Sequence, residues 1–371
     1  MRVGLDARFS SARYDGVGRY VAVLLTELLR LQDGPDVVAV YPGAGDPPRH
    51  PLPEGDAHLT VLHPRRSVTA ESPWAQLELP VAARRHHLDA WHSPFPAVPL
   101  LVPAPVVVTS HDCIPERFPA YFRSSRRALY RGGVWTSVKR ARVVIVPSQM
   151  SADDLARYYR VPPRRIRLVP HGVDLPPASD PVLDAEHRAR LGVADGYVLI
   201  VGRPRPHKGY AMLVRALARL APDERPHLVR VGRPDPRLPD GHEEEAHRLG
   251  VQLTGLVGIS DGELLALYRG ASLVAVPSRV EGFGLPLLEA LAAGAPVLAA
   301  AIQPLEASGG DAARYVEPPD NEEAWAECLQ SALRDTAWHQ RAALAGPTRA
   351  ALFPWSASAQ ATLAVYREAA A

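Results

Sequence analysis

Short runs of aliphatic and β-branched residues alternate along the chain with longer stretches whose apolar positions recur at helical spacing. That alternation predicts βαβ units built around parallel sheets. Strands are expected at Val3–Asp6, Val37–Tyr41, His58–Leu62, Ala90–His92, Val106–Ser110 and Val143–Pro147. A second series is expected at Tyr197–Val201, His227–Val231, Val251–Thr254, Leu273–Pro277, Val297–Ala300 and Arg314–Val316. Several runs end in small or polar residues, among them Ser110-His111-Asp112, Pro147-Ser148, Gly202-Arg203 and Pro277-Ser278. Ligands of open α/β sheets gather at the carboxyl ends of the strands, so chemistry is sought at these junctions.

Pro176, Pro177 and Pro181 separate the two series and exclude a continuous helix or central strand there, so 176–189 reads as a linker. The expected domains are 1–175 together with 356–371, and 190–355. After Pro354 the tail carries Leu363, Val365, Tyr366 and Ala369 at helical spacing, which predicts a closing helix over 356–370. The fold class expected is α/β, two facing Rossmann-like domains with an active site in the cleft between them.

The 371-residue length suits two domains, and 47% apolar with 22% charged residues is globular. A net charge of +2 gives no reason to expect nucleic acid as a partner. Two cysteines, Cys113 and Cys328, make neither a disulfide framework nor a thiolate metal site, and with an opening, MRVGLDARF, that lacks an apolar core they point to a cytoplasmic setting. The greasiest stretch, 285–302, is broken by Pro286, Glu289, Gly294 and Pro296 and fails as a membrane span.

Four constellations carry candidate chemistry. In RVEGFGLPLLEALAAGAPVLA, Glu281 and Glu289 flank Gly282-Phe283-Gly284-Leu285, a loop running into a helix that begins near Leu285-Pro286. Such a helix start offers backbone amides and a positive dipole end to an anion such as a diphosphate. In VGRPRPHKGY, Arg203 and Lys208 flank a proline-stiffened loop. Only two of the 42 basic residues are lysines, Lys139 and Lys208, so a lysine kept in an arginine-rich chain singles this loop out. Arg forks two phosphate oxygens, whereas Lys is a compact charge able to follow a leaving group. In DGVGRYVAVLLTELL, Gly16 and Gly18 lead into an amphipathic helix, with Arg19 and Tyr20 as candidates for facing a cleft. In VVVTSHDCIPERFPAYF, His111-Asp112 ends a buried strand.

These segments resemble the E-x7-E signature of retaining GT-B glycosyltransferases, the family that includes bacterial mannosyltransferases, over nearly the whole chain. The resemblance implies that Glu281 contacts the transferred sugar and Glu289 the nucleotide ribose, with the Gly282–Leu285 amides beside the donor. Residues 202–209 look like the family's G-R-x-x-P-x-K-G loop, and read Arg205-Pro206-His207 in its middle. The resemblance assigns Arg203 and Lys208 to the donor diphosphate, Gly18 to a close backbone approach, and Thr254-Gly255 to the region holding the nucleotide base. It places His111 over the transferred sugar, orienting a hydroxyl, in a pattern that Asp112, Pro115, Phe118 and Pro119 complete and that leans towards GDP-mannose. Arg19, Tyr20, Asp112 and Ser148 are then acceptor-side.

The activity implied is metal-independent, front-face transfer of a hexose, mannose favoured, from a GDP- or UDP-sugar to an acceptor hydroxyl on a glycan, a lipid-linked molecule or a small molecule, with no cofactor. A nucleotide-sugar epimerase, a sugar phosphorylase and a non-catalytic sugar-binding protein are the alternatives. The segment 117–142 holds eight basic residues and no acidic one, either a solvated helix face or an anion-facing patch. Peripheral contact with the inner face of a membrane stays open on that account.

Overall fold

The computed structural model describes residues 1–10, 15–43, 50–65, 72–119, 124–235 and 240–371. They form two compact units, Met1–Gly172 with Pro354–Ala371, and Val173–Phe353.

The first unit holds a seven-stranded, all-parallel sheet in the order β3-β2-β1-β4-β5-β6-β7. Its strands are β1 (Arg2–Leu5), β2 (Asp36–Val40), β3 (Leu59–Leu62), β4 (Ala90–Ser93), β5 (Val106–Thr109), β6 (Val143–Val146) and β7 (Ile166–Leu168). The interior strands are buried throughout, which is why they read as unbroken aliphatic runs. On one face, Trp91, Val106, Val108 and Val144 pack with Leu79, Val134, Val138 and Leu155 from the helices Ala75–Arg85, Ser124–Arg140 and Gln149–Tyr159. The helix Asp15–Arg30 packs against the closing helix Trp355–Ala370, which belongs to this unit.

The second unit has six parallel strands in the order β10-β9-β8-β11-β12-β13. These are β8 (Tyr197–Val201), β9 (His227–Val231), β10 (Leu253–Leu256), β11 (Leu273–Val276), β12 (Val297–Ala300) and β13 (Arg314–Val316). Strand order reverses between β1 and β4 in the first sheet and between β8 and β11 in the second. A doubly wound sheet opens a crevice for ligands at such a reversal.

Three sequence expectations need correction. Residues 176–189 are not a bare linker, because Asp180 caps a helix, Pro181–Arg190, by accepting from the amides of Val182 and Leu183 at 3.1 and 3.2 Å. Pro181 sits in its first turn, where a missing N–H costs nothing. The strand expected at 251–254 lies two residues further on, and β7, three residues set among arginines, was not expected at all.

Candidate functional site

The reversal in the second sheet brings together the loops that follow β8 and β11. After β8, Gly202 adopts φ 130° and its carbonyl accepts from the Tyr210 hydroxyl at 2.6 Å. A Cβ on Gly232, at the end of β9, would stand 2.0 Å from that same carbonyl oxygen, so glycine is the residue that fits there. Pro206–Lys208 then form a single 3₁₀ turn that ends on Gly209, at φ 73° and so close to the Pro277 carbonyl that a Cβ would lie 2.3 Å from it. The turn is thereby pressed onto the end of β11, where the Arg279 amide donates to the His207 carbonyl at 2.7 Å.

That approach brings the Lys208 ammonium to 2.5 Å from Glu281 Oε1, with the two side chains only 19% and 9% exposed. Beneath them the His207 imidazole is buried, and burial together with the adjacent Lys208 and Arg205 charges pushes its pKa down to about 2. It is a neutral support under a charged pair. Arg203 is half-buried at the carboxyl end of β8, and Arg205 faces Asp235 at 3.4 Å.

Gly282-Phe283-Gly284 follow Glu281. Phe283 is buried edge-on against Phe353, with ring centroids 5.9 Å apart. Gly284 has φ 98°, and a Cβ there would meet Leu305 at 2.5 Å. The helix Leu285–Ala292 starts immediately, with Pro286 in its first turn and no side chain capping its amides. Glu289 lies one turn in, half-buried, and its Oε2 accepts a 3.0 Å hydrogen bond from the Tyr268 hydroxyl. Tyr268 was not singled out by sequence reasoning. Its only signal was an aromatic at an apolar position of the helix Asp261–Gly270 that precedes β11.

Thr254 and Gly255 are assigned by the resemblance to the region of the nucleotide base. They sit inside the edge strand β10, where Thr254 Oγ1 bonds His227 Nε2 at 2.9 Å and Gly255 leaves room for the buried Arg230 guanidinium, which a Cβ would approach to 2.0 Å. A cavity of about 420 Å³ opens beside Arg230, Glu243 and His247 on that face.

In the first unit the reversal lies beside a feature that sequence reasoning missed. Asp6 and Arg8, both wholly buried, form a bidentate pair at 2.8 and 2.7 Å that holds the 3₁₀ turn Ala7–Ser10 at the end of β1. Gly18 packs on that turn, 3.0 Å from Cβ position to Ser10 carbonyl oxygen. Gly16 and Gly18 lie within the helix Asp15–Arg30 rather than in a loop ahead of it.

His111 is held on both sides of its ring. Nε2 meets the Pro94 carbonyl at 2.9 Å and Nδ1 meets His171 Nε2 at 3.0 Å. A carbonyl only accepts, so His111 Nε2 carries the proton, Nδ1 accepts, and His171 Nε2 is the donor between the rings. Burial lowers the His111 pKa to about 4 and puts His171 well below its ordinary value. Both rings are therefore neutral near pH 7. Nearby, Tyr366 bonds His92 Nδ1 at 2.7 Å, His92 Nε2 bonds Thr109 at 2.8 Å, and Thr109 bonds Tyr20 at 3.1 Å.

The acceptor-side residues are less available than expected. Tyr20 is 1% exposed and committed to that chain of hydroxyls, because its helix position points into the sheet. The Ser148 hydroxyl caps the helix Gln149–Tyr159 through the Ser151 amide at 3.2 Å. Asp112 Oδ1 accepts from the Ile114 amide at 3.0 Å, and Arg19 is half-buried in the first turn of its helix. Part of the basic segment is paired inside the unit. Arg117 forks Asp154 at 2.7 and 2.8 Å, Arg127 and Arg131 face the buried Glu116 at 3.6 and 3.4 Å, and Arg140 donates to the Val102 carbonyl at 2.7 Å. Arg123 and the side chain of Arg126 lie outside the described residues.

Among the described residues no cluster of three or more His, Cys, Asp or Glu is placed to hold a metal ion, and no helix is long and apolar enough to cross a membrane.

Residues 185–349 match the family model described as glycosyl transferases group 1, and residues 14–176 match that of glycosyltransferase family 4. The chain is similar to the D-inositol 3-phosphate glycosyltransferase of Corynebacterium glutamicum, 33% identical over 246 residues, 62% of this chain and 58% of that one. The protein of the same name from Xylanimonas cellulosilytica is 38% identical over 240 residues, covering 61% and 57%. The match thus spans less than two thirds of these relatives. Among solved structures, sucrose-phosphate synthase from Thermosynechococcus elongatus superposes with a TM-score of 0.73 at 23% identity, over 99% of this chain and 98% of that one. HepE of Anabaena, in complex with UDP-glucose, gives 0.74 at 19% identity over 98% of each chain. At such identities the structures establish a shared fold, two Rossmann-like α/β domains of GT-B type.

Proposed function

We propose that the chain is a group 1 glycosyltransferase and, more finely, a retaining hexosyltransferase that moves sugar from a nucleotide-diphospho-sugar to an acceptor hydroxyl. The observation that carries this reading is the Lys208–Glu281 pair at the β8–β11 reversal, flanked by Arg203 and the uncapped helix start at Leu285. Charge develops on the β-phosphate as the glycosidic bond breaks. Cations and amides fixed in advance at that place stabilise the developing charge without needing a metal ion. Lys208 and Arg203 take the diphosphate, Glu281 the transferred sugar and Glu289 the ribose. The Gly282–Leu285 segment lies beside the phosphates.

Retention needs either a carboxylate nucleophile or same-face attack. Glu281 is occupied by Lys208, which favours same-face attack, with the departing phosphate taking the acceptor's proton. We assign His111 to orienting a sugar hydroxyl, for which one of its ring nitrogens exchanges its present partner. The neutral His111–His171 pair suits hydrogen bonding to hydroxyls rather than to phosphate.

The His111–Pro119 pattern supports mannose from GDP-mannose. The names of the relatives and of the UDP-glucose complex support a UDP-sugar with a phosphorylated cyclitol as acceptor. Incubation with GDP-mannose, UDP-glucose and UDP-N-acetylglucosamine, each with and without inositol phosphate, decides between them by which diphosphate is released. Release without any acceptor at a rate equal to that with acceptor would favour an epimerase or hydrolase instead.

Peripheral membrane contact is supported by Trp74, Leu77, Val81, Leu100, Leu101 and Trp135, all exposed on the first unit. Gln76 and Arg140 tie the helices bearing them to the 98–104 loop. Interfacial aromatics beside basic side chains suit an anionic surface.

A further inference from the structure

Tyr268 is 3% exposed, so its hydroxyl needs an internal partner, and Glu289 provides it at 3.0 Å. The turn that carries Tyr268 is fixed at three successive residues. The Leu267 carbonyl accepts from the Tyr197 hydroxyl at 2.6 Å, Tyr268 reaches Glu289, and Arg269 pairs with Asp184 at 3.3 Å. At its other end the same helix is closed by a reciprocal capping box between Ser260 and Glu263. Tyr268 therefore projects from a turn held by bonds at successive residues.

A glutamate side chain has three rotatable bonds, and a single hydrogen bond from a fixed donor removes much of that freedom before any ligand arrives. We propose that Tyr268 is a positioning residue that holds the Glu289 carboxylate for the ribose hydroxyls of the nucleotide, and so sets the preference of the site for ribonucleotides over deoxyribonucleotides. The inference rests on the assignment of Glu289 to the ribose. The phenol donates to Oε2, a carboxylate oxygen that can only accept, so the pair fixes the direction in which the carboxylate offers its lone pairs. A tyrosine that served packing alone would influence stability but not discrimination between sugars.

The test measures dissociation constants of UDP and GDP, with their 2′-deoxy and 3′-deoxy forms, for the intact protein and for Tyr268→Phe. The wild-type protein should bind the ribonucleotide more tightly than at least one deoxy form. In Tyr268→Phe the ribonucleotide should weaken by about three- to tenfold, the scale of a disturbed hydrogen bond to a charged group, while the deoxy form keeps its affinity and the two converge. Glu289→Gln, which keeps the tyrosine, should also lose discrimination, and adding Tyr268→Phe to it should change nothing further. A wild-type protein that binds neither nucleotide, or binds ribo and deoxy forms equally, overturns the assignment of Glu289 itself. Discrimination present in the wild type and undiminished in a folded Tyr268→Phe overturns the role of Tyr268 alone.

Discussion

Lys208 and Glu281 are 73 residues apart in sequence and 2.5 Å apart in space, joined because Gly209 lets the loop after β8 lie directly on the end of β11. On the proposed assignment Lys208 takes the leaving diphosphate. Lys208→Ala should lower turnover by at least about 10²-fold, the scale for losing one preorganised charge-stabilising group. Arg203→Ala should do the same. Because both lie on a loop, circular dichroism should show native secondary structure, and near-normal turnover in folded Lys208→Ala would remove the diphosphate assignment.

Glu281 and Glu289 reach the site from different supports, a loop and a helix, and are expected to fail differently. Glu281→Ala should damage transfer far more than affinity for the nucleoside diphosphate. Glu289→Ala should weaken nucleotide affinity, with turnover at saturation less affected. Isothermal titration with the diphosphate, beside steady-state kinetics, separates the two, and equal losses on both measures would contradict the division.

The buried imidazoles make stability depend on pH in a fixed direction. His92, at about 3, His111, at about 4, and His171, well below its ordinary value, all titrate lower in the folded chain than the ~6.5 of an unfolded histidine. Between those limits the unfolded state binds more protons, so stability is complete above about pH 6.5 and falls as pH drops, by about 1.4 kcal/mol per pH unit for each such group. Urea unfolding from pH 7 to pH 5 should show this decline, with a shallower slope in His111→Asn. A flat profile would mean that the rings are not buried neutral.

The closing helix Trp355–Ala370 gives Leu363, Val365 and Tyr366 to the core of the first unit, and Tyr366 bonds His92. Removing a buried leucine costs about 2–5 kcal/mol. Truncation at Pro354 should therefore destabilise the first unit and abolish transfer, although every proposed donor residue remains. Equal melting temperatures for the truncated and full chains would refute this.

Twelve of the thirteen strands among the described residues were legible, the interior ones because strands buried on both faces write themselves as aliphatic runs. The thirteenth, β7, was not, since Ile166-Arg167-Leu168 is a short sheet edge that needs only partial burial. The loops after β8 and β11 were legible because glycine, proline and a rare lysine mark places where the backbone must turn or approach closely. What the sequence hides is which partner a polar side chain chooses. Tyr20 and Ser148 read as ligand-facing, yet each hydroxyl bonds within the protein's own framework. The His111–His171 pair and the Tyr268 hold on Glu289 depend on distances between segments, and no local pattern records them.

Metal-independent transfer that retains anomeric configuration is tested by one reaction. The protein is incubated in EDTA with the nucleotide-sugar that it hydrolyses or transfers fastest and with its acceptor, and the product is followed by proton NMR. The account predicts undiminished release of the nucleoside diphosphate and an α-linked product from an α-linked donor. An inverted product, or activity that returns only with added Mg²⁺ or Mn²⁺, would contradict it.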